Sequence, residues 1–225
     1  MQRITALLPM KGHSERVPNK NIRDFAGMPL LFHVLDSLVA CSMIETVLVN
    51  TDSAKISQFA QSRAKVRVIE RPAELCGGDV PMNDIIAHDL QFVSTEHVLQ
   101  THSTNPLLTL KSMEKGILTY FNSLSRHDSL FSVTKLQARF YWPNGLPVNH
   151  NPLELLRTQD LHPLFEENSC MYVFSHESFR KAGNRRIGLK PLMYPLNVLE
   201  AIDIDEEEDF IQAEILALKR KEERA

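Results

Sequence analysis

The chain has 225 residues and a formal net charge of -3, with acidic and basic side chains mixed along its length. That length can bury one substantial core without a disulfide or metal staple, which predicts a single domain over 1–225. The even charge excludes the electrostatic footprint of a nucleic-acid or anionic-membrane binder, so small-molecule partners are expected. Cys41, Cys76 and Cys170 are too widely spaced for a secreted disulfide framework or a paired-cysteine zinc site and read as reduced thiols. The apolar stretch before Lys11 is too short for a secretory leader, and no run approaches the roughly 20 apolar residues of a membrane span, so a soluble cytoplasmic protein is expected.

Buried strands are predicted at Ala6–Leu8, Thr46–Val49, Val66–Ile69, Val98–Leu99, Leu130–Val133 and Met171–Phe174. Helical stripes fall between them. The clearest runs through Leu30, Leu31, Val34, Leu35, Leu38 and Val39, with Pro29 at a first-turn position. Others pass through Ile56, Phe59 and Ala60, through Ile85, Ile86, Leu90 and Val93, and through Leu110, Met113, Ile117, Leu118 and Phe121. Strand and helix alternate, which predicts right-handed βαβ units, a mostly parallel sheet covered on both faces, and a site built from strand-to-helix loops. Residues 137–165, rich in proline and aromatics, follow neither period and read as an arm or lid.

The first such loop follows Leu8 and carries Lys11, Gly12, Ser14, Arg16 and Lys20. Backbone N–H groups at Gly12 and Ser14 can form an anion-binding concavity, and the three cations suit a triphosphate. A solvated basic loop closed by Pro18 is the competing reading, and the P-loop spacing is absent. Residues 11–21 resemble the amino-terminal signature of the acylneuraminate cytidylyltransferases, the CMP-sialic acid synthetases: Ser14, Pro18, Lys20 and Asn21 match it. Lys11 stands where that family has arginine and Glu15-Arg16 replaces Lys-Gly. Arg16 takes the place of an arginine of the related CMP-Kdo synthetases.

Further along, Asn50-Thr51-Asp52 resembles the family's Ser-Thr-Asp, although Asp52 or Ser53 can also cap the helix ahead of Ile56, and capping is the preferred reading. Arg71-Pro72-Ala73-Glu74-Leu75 resembles Arg-Pro-x-Glu-Leu, whose arginine contacts nucleotide. The stretch from His102 to Pro106 stands where the family reads Gln-x-Thr-Ser-Pro and uses the glutamine for substrate. The resemblance makes His102 and Asn105 sugar contacts, unless Gln100 takes the glutamine's part; a structural histidine is the alternative. Arg157, Asn168 and Tyr172 are carried over in the same way as sugar-acid contacts, with Ser169 replacing a family glycine.

The sharpest signal is Ile202-Asp203-Ile204-Asp205. On an extended chain alternate side chains share a face, so both carboxylates project together as two hard oxygen ligands for Mg²⁺ or Mn²⁺ beside substrate phosphates. Capping of the last helix by Asp205, with Glu208 three residues on, explains Asp205 but not Asp203. The stretch resembles the family's carboxyl-terminal signature.

The resemblance implies a three-layer α/β fold of the nucleotide-diphospho-sugar transferase type, with residues 137–165 as a dimerisation arm. It implies CTP and a 2-keto sugar acid as substrates, joined with release of pyrophosphate, with Lys20, Asp203 and Asp205 catalytic. A CMP-Kdo-type synthetase, an Asp-x-Asp glycosyltransferase and a non-catalytic nucleotide-binding homologue are the alternatives.

Overall fold

The computed structural model describes residues 2–223. Its first half alternates β1 (Ile4–Met10), a two-residue hairpin of β2 (Asp24–Phe25) and β3 (Met28–Pro29), α1 (Leu30–Ala40), β4 (Ile44–Thr51), α2 (Ala54–Gln61), β5 (Val66–Glu70), α3 (Met82–Asp89), β6 (His97–Thr101) and α4 (Leu110–Ser123). The second half adds β7 (Ser129–Leu136), β8 (Leu164–Ser175), α5 (His176–Lys181), β9 (Pro191–Leu196) and α6 (Glu207–Glu222).

Seven of the strands form one sheet in the order β5-β4-β1-β6-β8-β7-β9. β5, β4, β1 and β6 are mutually parallel and β9 is parallel to β7, whereas β8 runs antiparallel to both its neighbours. The mostly parallel sheet predicted from the alternating elements is therefore present. β1 is buried throughout, and its period of two feeds two cores. Ile4, Ala6, Leu8 and Met10 pack with α1, α2 and α4 on one face; Leu7 packs with Ile86 of α3 and Phe179 of α5 on the other. Helices thus cover both faces, making the three layers.

The chain leaves β1 toward β4 and β5 on one side and later returns to place β6 on the other. That reversal opens a crevice beyond the carboxyl ends of β1 and β6, where this architecture binds ligands. A third cluster seals its far side: Val17, Phe25 and Leu30 pack against Ile204, Phe210 and Ala213. The Phe25 and Phe210 rings meet edge to face at 5.3 Å. Arg23 lies 4.0 Å over the Phe210 ring and grips Glu207 through two 2.7 Å hydrogen bonds.

Several local expectations change. Pro29 is the residue before α1 rather than inside its first turn. α3 ends at Asp89, and Val93 follows a short 3₁₀ turn. Residues 201–205 form no strand: they run beside the loop after β6, where Ile204 N–H donates to the Thr104 carbonyl at 2.9 Å. α6 is capped by Glu206, not Asp205, in a capping box whose Asp209 carboxylate accepts from the Glu206 N–H at 2.8 Å. β9, α5 and the first half of β8 carried no clear periodicity and were not anticipated.

Between β7 and β8, residues 137–163 form an irregular arm with one isolated bridge between Tyr141 and Pro147. Gln137 pins its return through bonds to the carbonyls of Thr158 at 3.0 Å and Leu161 at 2.8 Å.

β8 bulges where Ser169 takes a left-handed φ of 57°, and the register against β7 shifts between Phe131 and Val133. Asn168 holds the bulge, accepting from Ser132 Oγ at 2.6 Å and donating to Thr134 Oγ1 at 3.1 Å. Serine pays a steric cost there that glycine escapes. Ser169→Gly should stabilise the fold by about 1 kcal/mol, read as a melting temperature higher by a few degrees; a lower one would mean that the Ser169 hydroxyl, 3.3 Å from Tyr172 Oη, outweighs the strain.

Candidate active site

The crevice beyond β1 and β6 holds a cleft of about 370 Å³ lined by Lys11, Ser14, Arg16, Lys20, Asn21, His102 and Asp205 among others. One wall is the loop after β1, shaped by contacts outside it. Asn21 is buried and donates to the Lys11 carbonyl at 2.9 Å, closing the loop on itself, while its Oδ1 accepts from Ser103 Oγ at 2.6 Å and ties the loop to β6. Gly12 has no room for a side chain: a Cβ there would stand 2.7 Å from Ser53 Cβ. Its N–H donates to Asp52 Oδ1 at 2.6 Å, and the cap of α2 is Ser53, whose hydroxyl accepts from Ile56 N–H. Asp52 therefore does not cap the helix. It braces the loop, and the Gly12 amide that could have met an anion is already engaged.

The second wall is the acidic segment. Lys20 Nζ donates to the Ile204 carbonyl at 2.5 Å, and Arg16 reaches Asp205 at 2.9 Å and Glu206 at 2.8 Å. Burial lowers the Lys20 ammonium pKa, against the pull of Asp205 and Asp203. Burial raises the Asp203 carboxyl; the Thr104 side chain beside it opposes the rise and the neighbouring Asp205 adds to it. Asp203 Oδ1 is buried with no hydrogen-bond partner among the described residues. The two aspartates thus lie beside the opening loop, Asp205 facing the cleft and bound to Arg16, Asp203 deeper with one unsatisfied oxygen.

A third group stands behind His102. Arg186, on the loop between α5 and β9, lies 3.7 Å from the centre of the Tyr172 ring. It donates to Gln100 Oε1 at 2.8 Å and to Tyr172 Oη at 2.9 Å, and its NH1 lies 3.4 Å from His102 Nε2. A guanidinium can only donate, so the Gln100 carbonyl faces it and the Gln100 amide nitrogen faces His102 Nε2 at 3.0 Å. That nitrogen must accept, which puts the imidazole proton on Nδ1. Burial and the adjacent Arg186 push the His102 pKa down to about 3, so the ring is neutral. Nothing in the sequence singled out Arg186, one of two arginines in a polar loop without periodicity.

The remaining candidates lie apart from the cleft wall. Arg71 is buried, its Nε donating to Asn50 Oδ1 at 2.7 Å and its NH2 to the Asn50 carbonyl at 3.1 Å, while Asn50 is held in turn by Asp89 at 2.5 Å. Asn105 is buried and reaches the Ile202 carbonyl at 3.4 Å, tying the loop after β6 to the acidic segment. Asn168 is spent on the bulge. Tyr172 is fully buried and backs Arg186 rather than facing solvent. Arg157 sits on the exposed arm, its Nε 2.7 Å from Asp160, and is not brought to the cleft.

Among solved structures, the fold resembles CMP:2-keto-3-deoxy-manno-octonic acid synthetase complexed with CTP, with a TM-score of 0.72 at 11% identity, covering 97% of this chain and all of that one. It also resembles 4-diphosphocytidyl-2C-methyl-D-erythritol synthase from Anaerococcus prevotii, with a TM-score of 0.67 at 13% identity and 96% of each chain covered. Among sequences, it is 27% identical to N-acylneuraminate cytidylyltransferase A of Danio rerio over 225 residues and 22% identical to the N-acylneuraminate cytidylyltransferase of Streptococcus agalactiae serotype III over 218. These alignments cover 96% and 91% of this chain but 51% of each relative, so the chain spans about half their length. It is 26% identical to the CMP-N,N'-diacetyllegionaminic acid synthase of Legionella pneumophila, with 95% of this chain and 96% of that one covered. The profile of the cytidylyltransferase family matches residues 5–223, and the chain belongs to that family.

Proposed function

We propose that the protein transfers CMP from CTP to the anomeric 2-hydroxyl of a sialic-acid-type 2-keto sugar acid, giving the CMP-sugar and pyrophosphate. The observation that carries this reading is the meeting of Asp205, Lys20 and Arg16 at the cleft beside the loop after β1, with Asp203 Oδ1 buried behind them and its carboxylate close enough to Lys20 to act on its charge. The hydroxyl oxygen attacks the α-phosphorus, the bond to the pyrophosphate oxygen breaks, and the hydroxyl proton is released. The chain's part is positioning and electrostatics, with no covalent nucleophile. Lys11, which makes no ion pair among the described residues, and Lys20 meet the charge that gathers on the leaving pyrophosphate, joined by Arg16.

The acidic pair fits a Mg²⁺ or Mn²⁺ ion. Asp203 offers a buried oxygen without a partner, and Asp205 an oxygen that would exchange Arg16 for the cation. Two carboxylates suit a hard ion that keeps waters and shares substrate phosphates. Such an ion would lower the pKa of the attacking hydroxyl and neutralise phosphate charge. The N-acylneuraminate and legionaminic names of the relatives support a nonulosonic acid as acceptor. Leu153 and Leu155, 92% and 94% exposed on the arm, support its role as a surface for a second copy.

Pyrophosphate release from CTP, assayed with Mg²⁺ across sialic, legionaminic, pseudaminic and Kdo-type acids, should appear with at least one nonulosonic acid; none with any acid overturns the reading. Asp203→Asn should cut that turnover by on the order of 10²-fold or more while melting at or above the wild type, because it removes an unsatisfied buried charge. Since His102 is already neutral well above about pH 3, His102→Gln should keep the acid limb of the pH–rate profile unchanged. An acid limb near the ordinary histidine value of about 6.5 that vanished in this variant would give His102 a proton-transfer role instead. Leu155→Asp should shift the protein from dimer to monomer in light scattering; a wild type that is monomeric at assay concentrations removes the arm from the account.

A further inference from the structure

Arg186 is built unlike the other paired arginines. Arg16, Arg23, Arg63 and Arg157 each hold a carboxylate oxygen at 2.9 Å or closer. Among the described residues Arg186 has only Glu167, at 3.7 Å, and that carboxylate is half in solvent and already accepts from Tyr172 Oη. With its side chain 17% exposed, the guanidinium has lost much of its water without gaining an anion in hydrogen-bond contact. Its bonds go to the neutral acceptors Gln100 Oε1 and Tyr172 Oη, which hold its Cζ 3.7 Å from the centre of the Tyr172 ring. Its Nε–H has no acceptor among the described residues, which leaves that edge of the fork without a partner there. The loop is anchored where it must be, Arg186 N–H donating to Asn83 Oδ1 at 3.2 Å, next to Met82 of the cleft wall.

A desolvated cation, held by neutral partners directly behind His102 of the cleft wall and with no carboxylate in hydrogen-bond contact among the described residues, is complementary to a carboxylate brought from outside. A planar fork matches that group in two hydrogen bonds, and preorganisation spares the entropy of ordering it. The phosphates have their own cations in the cleft lining, Lys11, Arg16 and Lys20. We propose that Arg186 is the specificity-determining residue that recognises the carboxylate of the acceptor sugar acid, a part that the resemblance had carried onto Arg157. This inference rests on the cytidylyl-transfer reading above, and it restricts acceptors to acids: sugars with a neutral group at that carbon are excluded.

The test compares kcat/KM for the best-used nonulosonic acid with that for its C1 methyl ester, in the wild type, Arg186→Gln and Arg186→Lys. The wild type should favour the acid strongly. Arg186→Gln should raise KM for the acid roughly 30-fold or more and bring the acid-to-ester ratio close to one, with KM for CTP within about twofold of wild type. Arg186→Lys, which keeps the charge but loses the fork, should lie between, and carries the comparison if the glutamine variant does not fold. Arg157→Gln should leave the ratio unchanged. If the wild type turns over CTP but the ratio survives in the folded Arg186 variants, this assignment falls alone; if the wild type turns over no acid at all, the cytidylyl-transfer reading falls and takes this assignment with it.

Discussion

The hydrogen bond from Lys20 Nζ to the Ile204 carbonyl, across 184 positions of chain, is the constraint on which the rest of the cleft depends. It joins a loop made early to a segment laid down near the other end. Arg16 and Asp205 reinforce it from the solvent side, and Ile204 anchors it from below by packing with Val17 and Phe25. An ion pair as exposed as that of Arg16 stabilises little by itself. The buried apolar contacts of Ile204 and Phe210, together with the double bond between Arg23 and Glu207, are what hold α6 in place and give the charged groups a fixed geometry.

The cleft is a region of unspent electrostatics. Among the described residues Asp203 keeps an oxygen without a partner, Lys20 is a cation whose pKa burial lowers, and Arg186 is a guanidinium whose closest bonds go to neutral groups. Each is disfavoured in the protein alone, and each would be relieved by a bound group of opposite charge. Stability given up at such positions is characteristic of sites that bind charge by preorganisation. The same residues would be a poor choice for a purely structural role, since apolar replacements of like size would hold the fold as well.

Much of the framework was legible because its signals are local. The apolar runs of β1, β4 and β6 and the stripe of α1 announce themselves within a few residues, and their alternation implies a mostly parallel sheet with its site at the strand ends. The paired aspartates were legible for a different reason: a charge such as Asp203 set in an apolar stretch demands an explanation. What failed was detail fixed by context. Residues 202–205 are extended without being a strand, because their partner is the loop after β6 and not a sheet edge. Asp205 is not the cap of α6, because Asp209 serves Glu206 better. Asp52 braces Gly12, a contact 40 positions away that no local pattern encodes.

By itself the sequence determined the class of fold, the loop that begins the cleft and the acids that close it, because periodicity and charge in an apolar setting are properties of neighbouring residues. Tertiary structure alone decided which side chains share the cleft. It set Arg157 on an exposed arm against Asp160, sank Arg71 onto Asn50, and drew Arg186 onto Tyr172 beside Gln100 and His102. Those outcomes depend on strand order and on the antiparallel placement of β8 between β6 and β7, which bring residues from distant loops together at distances that no spacing along the chain records.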